Sequence, residues 1–218
     1  MPDFVLEHRY RPANSNQEKA PLILMLHGYG SDENDLFSFA EELPTQYAVV
    51  SAKAPYPMQP FGNAWYAIHW DQVNSNKFND IPQAIGSRDL IAKFIDQLIA
   101  KYPVDPAKVV LLGFSQGTIL SLAVALTYPQ KVRYVVGLSG YVSEELYGEN
   151  YKNNDFSTLE IYSSHGTVDQ VIPLAWAQKT PGFLDALGIK NSFSTYPVGH
   201  GVSPQNFYEF KNWLEERL

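Results

Sequence analysis

The sequence predicts an α/β fold, a mostly parallel central sheet with helices on both faces. Two observations carry this. Apolar runs of strand length recur down the chain at Leu22 to Leu26, Tyr47 to Ser51, Val109 to Leu112, Val132 to Leu138, Leu159 to Ser163 and Ser192 to Tyr196, and helix-like segments separate most of them. Several of these runs are apolar on both faces rather than alternating, which marks strands buried between two layers of helix, the setting of a parallel sheet.

The elements follow in order. Phe4 to Tyr10 alternates and predicts an edge strand, ended by the polar turn around Asn14 to Lys19. After the buried strand Leu22 to Leu26, a helix is expected over Asp35 to Leu43 and a strand over Tyr47 to Ser51. Leu90, Ile91, Phe94, Ile95, Leu98 and Ile99 fall on one broad face of a helix read from Ser87 to Lys101. Thr118 to Leu126 predicts a second helix. Leu174 to Leu187 reads as a third, which Pro181-Gly182 should break or kink, and Gln205 to Arg217 closes the chain. Ala54 to Ile81, with Pro55, Pro57, Pro60 and Gly62, fits no regular element, and a loop of this length in a compact domain usually serves function.

Composition bounds the function. At 218 residues the chain, 1–218, is expected to form a single domain with a substantial core. A formal charge of −7 argues against nucleic acid or an anionic membrane as partner and leaves small molecules. There is no cysteine, so a thiol nucleophile, a disulfide and a thiolate metal site are excluded. The first residues interleave charged and apolar side chains without a continuous apolar stretch, and no run is long enough to span a bilayer. A cytoplasmic protein without integral membrane association is expected.

The chemistry centres on Gly113-Phe114-Ser115-Gln116-Gly117, which follows an apolar strand and opens a helix. Small residues two before and two after the serine permit a tight, strained turn that lifts its hydroxyl clear of the backbone. A serine hydroxyl is a weak nucleophile at neutral pH. It needs a base, and that base needs a third group to fix its tautomer. Of five histidines, only His165 and His200 lie downstream of Ser115, and only His200 leaves room for an acid before it in the order nucleophile, acid, histidine. Asp169 is the expected acid, because it follows the strand ending near Ser163, whereas Asp155 precedes that strand and Asp185 lies in a helical segment. His165 is read as structural.

An acyl-transfer site also needs donors for the charge that develops on the carbonyl oxygen. The Gln116 backbone N–H directly follows the nucleophile, and the loop His27-Gly28-Tyr29-Gly30 after an early strand offers the Tyr29 N–H as second donor. His27 has no Cys, His or carboxylate neighbour at metal-ligand spacing, so it is read as holding this loop, and no metal or organic cofactor is expected. Phe61, Trp65 and Tyr66 populate the long loop, and Phe61 and Trp65, with Tyr29 at the oxyanion turn, are expected to line an apolar acyl groove.

These motifs, together with Leu138-Ser139-Gly140, the His165-to-Pro173 run H-G-x-x-D-x-x-I-P and Gly199-His200, resemble the phospholipase/carboxylesterase family of α/β-hydrolases. The resemblance spans nearly the whole chain. It implies an α/β-hydrolase fold with little or no lid, and a serine hydrolase that cleaves carboxylic esters of short to medium acyl chain through an acyl-enzyme. Acyl-protein thioesterase or lysophospholipase activity is the alternative within the family, and a non-catalytic hydrolase-like binding protein is the contrasting class. A homodimer is compatible with the resemblance. Trp65-Tyr66-Ala67 matches the family's pocket loop but lacks the aspartate usual there, a departure that bears on substrate identity.

Overall fold

The computed structural model describes residues 4–71 and 76–218, so Met1 to Asp3 and part of the long loop lie outside the described residues. The chain runs through β1 (His8–Arg11), β2 (Ala20–Leu26), a 3₁₀ turn (Leu36–Glu41), β3 (Ala48–Ala52), β4 (Tyr56–Pro57), β5 (Asn63–Ala64), β6 (Ile68–Asp71) and β7 (Asn76–Asn79). It continues through α1 (Ile81–Lys101), β8 (Val104–Phe114), α2 (Gln116–Thr127), β9 (Tyr134–Leu138), β10 (Glu160–Gly166), α3 (Leu174–Ala177), α4 (Lys179–Ala186), β11 (Lys190–Tyr196) and α5 (Pro204–Glu215).

Seven strands form one sheet in the order β1-β3-β2-β8-β9-β10-β11, with only β1 antiparallel to its neighbour. This is the α/β-hydrolase architecture. Alternation along β2 explains the two layers: Leu22, Leu24 and Leu26 pack with α1 and α2 on one face, while Ile23 and Met25 pack with the 3₁₀ turn and α5 on the other. Among the described residues no segment forms a separate lid, and no helix is long and apolar enough to cross a membrane.

Several elements differ from the sequence expectation for physical reasons. The edge strand begins at His8 rather than Phe4, because Phe4 instead packs its ring against Phe94 and Tyr102. The segment expected as a helix from Asp35 is a 3₁₀ turn burying only Leu36 and Ala40. α1 starts at Ile81, well before Ser87, since the Asp80 side chain caps it by accepting the Gln83 N–H at 3.0 Å and Pro82 occupies its first turn. The stretch from Ala54 to Ile81 is not irregular throughout. It forms two antiparallel ribbons, β4 with β5 and β6 with β7.

The break expected at Pro181-Gly182 falls earlier, at Gln178, and Pro181 sits in the first turn of α4. A proline there has no N–H for the Ala177 carbonyl, so the discontinuity appears one turn ahead of the ring that causes it.

Candidate active site

Four of the parallel strands, β2, β8, β10 and β11, release their chains at the same edge of the sheet, where such folds gather their ligand-binding loops. Ser115 follows β8 and caps α2 with φ 54° and ψ −116°, a conformation that costs a non-glycine residue about 1–3 kcal/mol. The turn is closed by contact. A Cβ on Gly117 would collide with the Leu26 carbonyl oxygen, so only glycine lets β2 and the start of α2 lie this close. Thr118 Oγ1 lies 2.7 Å from both the Gly113 and Leu138 carbonyl oxygens and ties the turn to β9.

His200 Nε2 lies 2.9 Å from Ser115 Oγ, and its Nδ1 lies 2.7 Å from Asp169 Oδ2. A carboxylate accepts, so Nδ1 carries the proton and Nε2 is free to accept from the serine hydroxyl. The second carboxylate oxygen of Asp169 accepts the Val171 and Ile172 N–H groups at 2.8 and 3.0 Å. Burial alone raises the Asp169 carboxyl, but the His200 hydrogen bond and these backbone donors outweigh it and hold it below the ordinary carboxylate value.

The loops bearing Asp169 and His200 are joined directly. Thr167 N–H donates to Tyr196 O at 2.8 Å and Val168 N–H to Val198 O at 3.2 Å. A Cβ on Gly166 would collide with the Val198 and Gly199 carbonyl oxygens, so the close approach of the two loops requires glycine there.

His165, read as structural, is buried beside Asp169: its Nε2 is 2.9 Å from the Ile172 carbonyl oxygen and 3.3 Å from Asp169 Oδ2. Asp155 instead accepts the Ser157 N–H, and Asp185 accepts from Asn191 Nδ2, so neither alternative carboxylate approaches His200.

The loop after β2 lies against the elbow, for a Cβ on Gly28 would sit 3.5 Å from Ser115 Cβ. Among the described residues the Tyr29 N–H has no hydrogen-bond partner within the protein. His27 holds this loop: its Nδ1 donates to the Gly28 carbonyl at 2.8 Å and its Nε2 accepts the Ala54 N–H at 3.1 Å. Burial lowers the His27 pKa, in keeping with a neutral ring in that tautomer.

The expected acyl groove is where the structure departs from the sequence reading. Trp65 has 0% exposure, and its indole N–H is spent on the His27 carbonyl at 3.0 Å. It belongs to the core under the loop rather than to a groove wall. Phe61 is 78% exposed, at an open depression of about 620 Å³ shared with polar neighbours such as Ser31, Asp32, Asn34 and Asp35. The two aromatics are not brought together. The residue whose role sequence reasoning missed is Gln116, whose side chain binds the backbone of both Trp65 and Tyr66 at 2.8 Å. The available signal was a lone carboxamide opening a mostly apolar helix, since a buried amide requires partners.

Comparison with known proteins identifies the family. The family model for phospholipase/carboxylesterase matches residues 11–218, and the chain belongs to that family. It is thereby an enzyme, a carboxylesterase-type hydrolase. It is similar to an acyl-protein thioesterase 1 from Candida albicans, with 32% identity over 94% of each chain. A probable carboxylesterase from Oryza sativa subsp. japonica shares 28% identity, covering 90% of this chain and 77% of the other. The crystal structure of esterase PE8 superposes with a TM-score of 0.82 at 24% identity, over 98% of this chain and 99% of the other, and shows the shared fold.

Proposed function

We propose that this enzyme cleaves carboxylic esters of short to medium acyl chain through a Ser115–His200–Asp169 triad. The observation that carries the reading is the unbroken hydrogen-bond chain from the Asp169 carboxylate through His200 to the Ser115 hydroxyl. Ser115 Oγ attacks the acyl carbonyl as His200 Nε2 takes its proton, and the Tyr29 and Gln116 N–H groups stabilise the oxyanion. Collapse breaks the bond to the leaving group, which departs with the proton held by His200. Water then attacks the acyl-serine by the same proton route in reverse and releases the acid. No step calls for a metal or organic cofactor.

The continuous sheet supports one catalytic domain over 1–218, and the absence of cysteine supports work in the cytoplasm. The similarity to the Candida albicans thioesterase favours a second reading in which the leaving group is a thiol. The chemistry at Ser115 is the same for both.

The test is covalent labelling with a fluorophosphonate, followed by peptide mapping, alongside hydrolysis of p-nitrophenyl esters and matched thioesters of graded acyl length. Attachment at Ser115 with parallel loss of turnover supports the triad. No attachment and no turnover would place the chain with non-catalytic binding proteins on this fold. The ratio of ester to thioester kcat/KM decides between the two readings.

A further inference from the structure

Gln116 is only 2% exposed, and α2 buries nearly every residue it has. A carboxamide in that position must find a partner for each end, and it finds both outside its own helix. Trp65 N–H donates to its Oε1, and its Nε2 donates to the Tyr66 carbonyl. The Trp65 carbonyl accepts the Ser87 hydroxyl from α1, so the segment is gripped from two helices.

The Trp65 indole N–H reaches the His27 carbonyl, and His27 Nδ1 donates to the Gly28 carbonyl. That last carbonyl belongs to the same planar peptide group as the Tyr29 N–H. A planar peptide held at its oxygen is held at its nitrogen too, and a donor on the carbonyl polarises the N–H opposite.

We propose that Gln116, Trp65 and His27 are positioning residues, forming a buried strut that sets the direction of the Tyr29 and Gln116 N–H groups and the gap between them. The proposal rests on the oxyanion role given to those two groups above. They issue from different strands, β2 and β8, and an oxyanion site works only with its donors within about 2.7–3.1 Å of the charged oxygen. Slack between the two loops would misplace one donor without disturbing Ser115, His200 or Asp169. Trp65 thus acts on the carbonyl oxygen of the substrate through backbone and not by touching the acyl chain.

The experiment compares Gln116→Met, Trp65→Phe, their double variant and Ser115→Ala on p-nitrophenyl acetate. Rates of the wild type and the strut variants are taken per active site titrated to completion with a fluorophosphonate, and that of Ser115→Ala per folded protein. The affinity of a trifluoromethyl ketone, which forms an oxyanion-bearing hemiketal on serine, is measured beside them.

Each single variant is expected to lower kcat about 10- to 100-fold, less than outright loss of an oxyanion donor, with KM little changed. Ketone affinity should fall by the same factor as kcat/KM. The double variant should be little worse than the worse single, because both changes cut one strut.

Wild-type kcat per titrated site in both singles overturns the strut. So does loss of kcat without loss of ketone affinity, or losses that multiply in the double variant. Trp65→Phe keeps the ring's bulk and decides the matter if Gln116→Met yields no titratable enzyme. Full activity in Ser115→Ala would instead overturn the catalytic reading beneath it, whereas its loss with unimpaired strut variants overturns the strut alone.

Discussion

His200 and Asp169 are joined through a single carboxylate oxygen, Oδ2, at 2.7 Å, while the other oxygen of Asp169 is fully engaged by the Val171 and Ile172 N–H groups. The carboxylate therefore cannot swing away from the imidazole without abandoning its own loop. Orientation of the imidazole and closure of that loop are one constraint.

Asp169→Asn keeps the shape but puts a carboxamide where a charged acceptor stood. If Oδ1 retains the two backbone donors, the amide nitrogen faces His200 Nδ1 and favours the wrong tautomer. A kcat loss of about 10⁴ is expected, the figure given by the protease precedent for this substitution, with a folded protein by circular dichroism. Asp155→Asn and Asp185→Asn should turn over normally, and loss of activity in either would reassign the acid.

The pH dependence of stability has a definite sign. A carboxyl depressed in the native state contributes stability that is fully present above its unfolded value of about 3.9 and lost as pH falls through the native one. Unfolding free energy should therefore drop more steeply below about pH 4 in wild type than in Asp169→Asn. Coincident acid limbs in denaturant titrations would refute the depressed carboxyl.

Trp65→Ala removes a fully buried ring and should cost about 3–5 kcal/mol of stability. Because Trp65 is buried and donates to the His27 carbonyl in the loop after β2, acetate and octanoate esters should lose kcat/KM alike. A loss confined to the long ester would return Trp65 to the acyl site. Phe61→Ala, on an exposed ring, should leave the melting temperature within a degree or so.

Gly117→Ala forces a methyl group into the Leu26 carbonyl and should abolish either folding or turnover. Gly182→Ala, with open space at the same position of its residue, is the control and should be tolerated. Equal behaviour of the two variants would mean that the contact between β2 and the elbow is not needed.

Sheet and elbow were legible because local sequence determines them. Leu22 to Leu26 is an apolar run of strand length followed by a glycine-rich loop, and a serine between Gly113 and Gly117 follows the strand-like Val109 to Leu112 and opens a helix. Asp169 and His200 were legible through their order along the chain and the strands before them. The long loop was not, because its ribbons are pinned by partners remote in sequence, such as the Gln116 and Gln83 side chains on the backbone of Trp65, Tyr66 and Ala67. An aromatic such as Trp65 carries the same one-dimensional signal whether it faces a ligand or anchors a loop. Only its burial distinguishes the two.

The positive φ at Ser115 is a conformation that a residue with a side chain adopts only under strain. Glycine would relieve that conformation, so Ser115→Gly should melt higher than wild type while losing all turnover. A library of this enzyme sorted for heat resistance alone would drift toward inactive clones at this codon, and any programme to harden it must hold selection on catalysis throughout.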